Sequence, residues 1–165
     1  MEEIVQLNSG AKLSPHFTLG EMTTSNHPEV YNIPSHEAIA NLKRLCGWLE
    51  ELRKRYNAKY GTSTSSATVG DEPIRINSGY RSPQLNRKIG GAATSNHLTG
   101  CAVDIKVAGM EQALRYATIL LDYADESKQE FDELLIEKNR YGAIGCISRC
   151  GPRIIAEKYC LSMRN

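Results

Sequence analysis

Two linked stretches decide the fold: Ile74-Arg75-Ile76-Asn77-Ser78-Gly79-Tyr80-Arg81-Ser82 and Ser95-Asn96-His97-Leu98-Thr99-Gly100-Cys101-Ala102-Val103-Asp104-Ile105. Residues 74–77 predict a strand that ends in the turn signal Ser78-Gly79. In the second stretch a glycine-rich approach, Gly90-Gly91-Ala92-Ala93, leads through His97 into a strand over 101–107. That strand carries Asp104 between Val103 and Ile105. A carboxylate among apolar neighbours is costly unless its charge has a partner. A metal ion shared with His97 is one such partner; an arginine or backbone amides are others. The remaining histidines, His16, His27 and His36, stand in no comparable context and read as surface or core residues.

Outward from this centre the chain reads as one domain of 165 residues. Ser35 can cap a helix, and Leu42, Leu45, Leu49, Leu52 and Tyr56 follow at 3–4 spacing to an end near Gly61. The polar run over 62–72 reads as a surface loop. Pro83 opens a short helix over 82–90. A second long helix runs from Gly109 to Ser127, with Met110, Leu114, Ala117, Leu121 and Ala124 along one side. Phe131 to Glu137 reads as a third strand and 139–142 as a turn, while residues 1–34 are broken by Pro15, Gly20, Pro28 and Pro34. The order predicts an α+β domain with a small, mostly antiparallel sheet and flanking helices.

Composition narrows the function. Hydrophobic residues at 41% and charged residues at 24% exclude a disordered tail or a coiled coil. Twenty Lys+Arg against 19 Asp+Glu leave a net charge of +1, with no basic stripe to attract nucleic acid. No apolar run reaches the roughly 18 residues of a membrane span. The acidic, polar start, Met1-Glu2-Glu3, is unlike a signal peptide, so the chain is expected to be cytoplasmic as made, with any action at a cell wall following release. Five cysteines, 46, 101, 146, 150 and 160, are an odd count that argues for free thiols over a disulfide framework. The Cys146-x3-Cys150 pair lacks a second pair to complete a zinc site.

SNHLTGCAVD, residues 95–104, resembles the Ser-x-His-x(6)-Asp signature of zinc D-Ala-D-Ala carboxypeptidases and peptidoglycan L,D-endopeptidases, whose fold hedgehog signalling domains share. INSGYRS (76–82), LSPHFTLGEM (13–22) and FDELLIEKN (131–139) resemble further segments of phage-type and bacterial members, so the likeness covers roughly residues 12–144. It implies an endolysin-like zinc metallopeptidase acting on peptidoglycan peptides as a monomer, with zinc held by His, Asp and a second His. His97 and Asp104 match the first two ligands. Arg81 matches an arginine that binds substrate carboxylate or developing oxyanion, a task suited to a guanidinium fork. By the same resemblance Ser95 orients the ligand loop or substrate, Tyr80 belongs to the substrate-binding turn, and Glu137 is the general base. Asp132, an odd number of positions from Glu137, would face the other way on a regular strand.

The likeness breaks after Ile144, which divides the chain into a peptidase-like part, 1–144, and an atypical tail, 145–165. No histidine follows His97. Ile147 stands where the third ligand belongs, and Gly145 where the family has tryptophan. Cys146, or Cys150, is the substitute donor on offer. With one T restored before the Gly145 codon, allowed codons read Trp-Leu-His-Phe-Ala-Val-Arg-Pro, and each shifted codon is fixed at two of three bases. The tail therefore reads as a frameshifted C-terminus. Low zinc occupancy, little hydrolysis and a displaced segment after Ile144 are expected. The alternative is a non-catalytic cell-wall-binding or metal-binding module of the same fold.

Overall fold

The computed structural model describes residues 8–61, 71–129, 131, 133–139, 142–148 and 161–164, and for 137–139, 142–148 and 161–164 it describes the backbone. A hairpin of β1 (Lys12–Ser14) and β2 (Phe17–Thr18) runs into a helical turn, α1 (Leu19–Met22). Thr18 and Glu21 close a reciprocal capping box on α1. The long helix α2 (His36–Tyr60) starts where Ser35 Oγ accepts the Ala38 amide at 3.1 Å. Its predicted stripe, Leu42, Leu45, Leu49 and Leu52, is fully buried. β3 (Arg75–Ser78), α3 (Pro83–Lys88), a 3₁₀ turn (Asn96–Thr99), β4 (Ala102–Lys106) and α4 (Met110–Ser127) follow. The last elements are β5 (Glu133–Asn139), β6 (Gly142–Ser148) and β7 (Leu161–Arg164).

The main sheet has the order β3-β4-β6-β5-β7, antiparallel throughout except for the β5–β7 pair. Val103, Ile105, Leu134 and Ile136 are buried on one face of the sheet, in a single core with α2 and α4. Trp48 joins the layers, edge-on to Tyr123 at 5.0 Å and to Phe131 at 6.0 Å. The opposite face carries Asp104, and with it the candidate centre. The fold is the predicted α+β arrangement.

The strand after Ile144 corrects one expectation. The glycines there predict a displaced segment, yet Gly142–Ser148 lies between β4 and β5, with Gly145 opposite both Ile105 and Ile136. A glycine inside a strand costs about 0.5–1 kcal/mol, but ladder bonds are made by the backbone, and two flanking strands supply them on both edges. Residues 149–160 of the tail, with Cys150, Gly151, Pro152 and Cys160, lie outside the described residues, as does Asp132. The cysteines give a second correction. Cys46 is free and buried, its thiol pushed up to about 12 by burial, but Cys101 is disulfide-bonded. Its partner lies outside the described residues.

The hairpin is pinned to α2 by one carboxylate. Glu50 accepts from Ser14 Oγ at 2.6 Å and from the His16 amide at 2.8 Å, and its other oxygen meets His16 Nδ1 at 2.7 Å. Burial raises the Glu50 pKa, but the bonds from Ser14 and His16 outweigh it, and the net shift is downward. A lowered folded pKa stabilises the fold above the ordinary carboxyl value and loses that contribution as pH falls through the folded value. Glu50→Ala should therefore cost about 2 kcal/mol at pH 7 in urea unfolding, and the gap to wild type should shrink as pH falls below the ordinary carboxyl range. A constant gap through that range would remove the charge from the explanation.

Candidate metal centre

Local structure brings His97 and Asp104 together in two steps. Ser95 Oγ accepts the His97 amide at 3.3 Å and starts the 3₁₀ turn that presents the imidazole. Gly100, at φ +74°, then reverses the chain into β4. A side chain there would be strained and would meet the Ala38 carbonyl at 2.5 Å. Asp104 sits opposite Ser78, just past an irregularity in β3 between Ile76 and Ser78, a device that re-aims side chains at sites.

His97 is 5% exposed, and its Nδ1 lies 2.7 Å from the Gly79 carbonyl. A carbonyl only accepts, so Nδ1 carries the proton and Nε2 presents a lone pair. That lone pair faces Asp104 Oδ1 at 3.5 Å. A charge-assisted bond between the two would close to about 2.7–2.9 Å. Two donors each about 2.0–2.2 Å from one tetrahedral zinc stand roughly 3.3–3.6 Å apart. The separation and the tautomer both fit a shared ion, and the Gly79 carbonyl plays the orienting part that metal-bound histidines require.

The ligand set beyond this pair is short. Among the described residues no group of three His, Cys, Asp or Glu side chains could hold a metal. The ladder pairs Asp104 with Cys146, and Val103 with Ile147. Directly opposite residues share a face, so position 146 is on the centre's face, while position 147 falls on the core face. Cys146 is also out of reach of Cys101. Its partner Asp104 stands three residues further along β4, roughly 10 Å, whereas bridged Cα atoms lie within about 7 Å.

The remaining candidates divide. Arg81 joins the centre: its amide donates to the His97 carbonyl at 3.0 Å and its guanidinium to Ser95 Oγ at 3.4 Å. Ser95 thus touches both the ligand turn and the arginine. Tyr80 does not join them; it is 7% exposed and packs in the core, where burial raises its phenol pKa. Glu137 pairs with Ile144, one row along the centre's face from the Asp104–Cys146–Leu135 row; its side chain lies outside the described part. Sequence reasoning missed the Gly79 carbonyl, because a backbone acceptor leaves no signature beyond the glycine itself. It also missed Asn32, whose side chain bonds the turn that carries Arg81.

Known proteins resemble the chain in sequence. The zinc D-Ala-D-Ala carboxypeptidase of Streptomyces albus G is 46% identical to the chain over 37 residues, 22% of this chain and 14% of that protein. The chain thus matches a small part of that relative's length. The profile of the Peptidase M15 family matches residues 15–129, which hold His97, Asp104, Arg81, Ser95 and the helix that backs them. With more than half of its length covered, the chain belongs to the Peptidase M15 family.

Proposed function

We propose that the chain is built as a zinc peptidase for peptidoglycan stem peptides, cleaving as a D-Ala-D-Ala carboxypeptidase or an L,D-endopeptidase, and that its metal site is impaired in this sequence. The observation that carries the reading is the His97–Asp104 pair, two lone-pair donors held 3.5 Å apart with the imidazole tautomer fixed. When bound, zinc supplies Lewis-acid chemistry at the scissile carbonyl. His97 Nε2 and Asp104 Oδ1 are the atoms that would hold it. Arg81 offers a guanidinium fork to a peptide carboxylate or to charge developing on the carbonyl oxygen. Glu137 takes the role of exchanging the proton between attacking water and leaving amine. No helix among the described residues is long and apolar enough to cross a membrane.

The short ligand set favours a second reading, a module that binds wall peptides without cutting them. One experiment separates the two. The chain is saturated with zinc and mixed with stem peptides ending in D-Ala-D-Ala, and both binding and released fragments are measured. Zinc-dependent release, however slow, supports the peptidase, and binding without release supports the module. Neither binding nor release rejects both. In the same binding assay Arg81→Ala should weaken the peptide about 10-fold or more, the loss of one charged hydrogen-bond pair, with the melting temperature nearly unchanged. An equal loss of thermal stability would make Arg81 a structural arginine instead.

A further inference from the structure

We propose that Asn32 is the positioning residue of this centre, setting the turn that carries Gly79 and Arg81 and, through that turn, the orientation of His97. Asn32 belongs to the connection between α1 and α2, remote in sequence from the centre. Its Nδ2 donates to the Thr23 carbonyl at 3.0 Å and to the Tyr80 carbonyl at 3.2 Å, and its Oδ1 accepts the Ser82 amide at 2.7 Å. The Tyr80 carbonyl and the Ser82 amide belong to the two peptide units on either side of Arg81. One short side chain therefore fixes both planes that aim the arginine.

The link to His97 is direct. The peptide unit whose carbonyl Asn32 holds is the unit whose amide, that of Arg81, donates to the His97 carbonyl at 3.0 Å. That unit is pinned by Asn32 on one edge and by the ligand turn on the other. One residue back, the Gly79 carbonyl receives His97 Nδ1 at 2.7 Å. Ser82 Oγ adds a bond to the Tyr31 carbonyl, next to Asn32. A fixed acceptor on Nδ1 holds the tautomer and ring angle that a metal needs, and loss of such outer partners typically costs 10–100-fold in affinity. A water filling the space left by alanine could make some of these bonds, but it would lack the covalent tether that holds the Asn32 amide in place.

The test reads the imidazole as well as the metal, because the zinc arm rests on the metal-site reading above. In nitrogen-15 NMR spectra of the metal-free chain, the His97 Nδ1–H proton should be visible, protected by its bond to Gly79. Asn32→Ala should erase that signal through exchange with water and weaken zinc binding about 10–100-fold. Glu50→Ala, which removes bonds to Ser14 and His16 and none to Asn32 or His97, serves as the destabilised control and should keep both. Asn32→Asp keeps an acceptor for the Ser82 amide and removes both donated bonds, so it gives the same readout if the alanine variant does not fold. If either Asn32 variant keeps the imidazole signal and binds zinc within about twofold of wild type, against the 10–100-fold expected, the proposal is overturned, whatever the melting temperature. Should the wild-type chain bind no zinc at all, the peptidase reading fails, while the imidazole signal still decides the role of Asn32.

Discussion

Replacing the tail from Gly145 onward with the Trp-Leu-His-Phe-Ala-Val-Arg-Pro frame should tighten zinc binding by on the order of 10²- to 10³-fold. Zinc bound by four protein ligands is worth about 10–16 kcal/mol in small peptides, so one ligand contributes roughly 2.5–4 kcal/mol. Strand phase explains how the new histidine would reach the site. In the present chain Gly145 and Ile147 hold core-face positions, while Cys146 and Ser148 hold positions on the face of Asp104. The restored frame puts tryptophan at position 145 and three aliphatic or aromatic residues, leucine, phenylalanine and valine, at positions 146, 148 and 150. Burying that leucine and phenylalanine requires the strand to slip by one residue, and a one-residue slip exchanges the faces. The histidine introduced at position 147 would then take the place opposite Asp104 that Cys146 occupies now. Competition with a chromophoric chelator gives both affinities, and peptide hydrolysis should return together with zinc. If the present chain already holds zinc as tightly, and Cys146→Ser loses it, the cysteine has replaced the histidine and the frameshift explanation falls.

The same strand marks the limit of what a sequence discloses. The stripe of α2, the Ser35 cap and the Pro83 start were legible because side-chain chemistry at fixed spacing specifies them; on α4 the expected stripe was misplaced, since Leu114 is exposed while Ala113, Tyr116 and Leu120 join Ala117 and Ala124 in the core. The pairing of His97 with Asp104 was legible through the resemblance of residues 95–104 to the Ser-x-His-x(6)-Asp signature; a carboxylate among apolar neighbours signalled only that some partner is needed. β6 was not legible, because its place in the sheet depends on edges that β4 and β5 leave open and not on its own composition. Tyr80 reads as a site residue beside Arg81, yet the turn directs the two neighbours apart, one toward the core and one toward Ser95. The Ser14–His16–Glu50 clamp joins α2 to a hairpin 36 and 34 positions away, and no local pattern announces it.

Gly79→Ala should be among the most damaging single substitutions in the chain. A Cβ at Gly79 would lie 2.3 Å from the Met22 carbonyl oxygen and 3.0 Å from its carbon, both backbone atoms that cannot swing away. That carbonyl accepts the Tyr80 amide at 2.7 Å, so relieving the clash breaks a buried bond as well. Overpacking typically costs about 1–3 kcal/mol and an orphaned buried partner roughly a further 1–3, giving about 2–6 kcal/mol in total. For a chain of this size each kcal/mol lowers the melting temperature by roughly 2–4 °C, so a fall of about 4–24 °C is expected. The displaced turn would also carry the Gly79 carbonyl away from His97 Nδ1, and metal affinity should drop with stability. Gly47→Ala supplies the opposite sign. Gly47 is an exposed position inside α2 where a Cβ would meet nothing within 4 Å, and alanine there should stabilise by about 1 kcal/mol. Thermal melts of the two variants beside wild type read both effects. A Gly79→Ala protein that melts within about 2 °C of wild type, less than a single kcal/mol would produce, would show that the turn can move, and the account of how Gly79 orients His97 would fall with it.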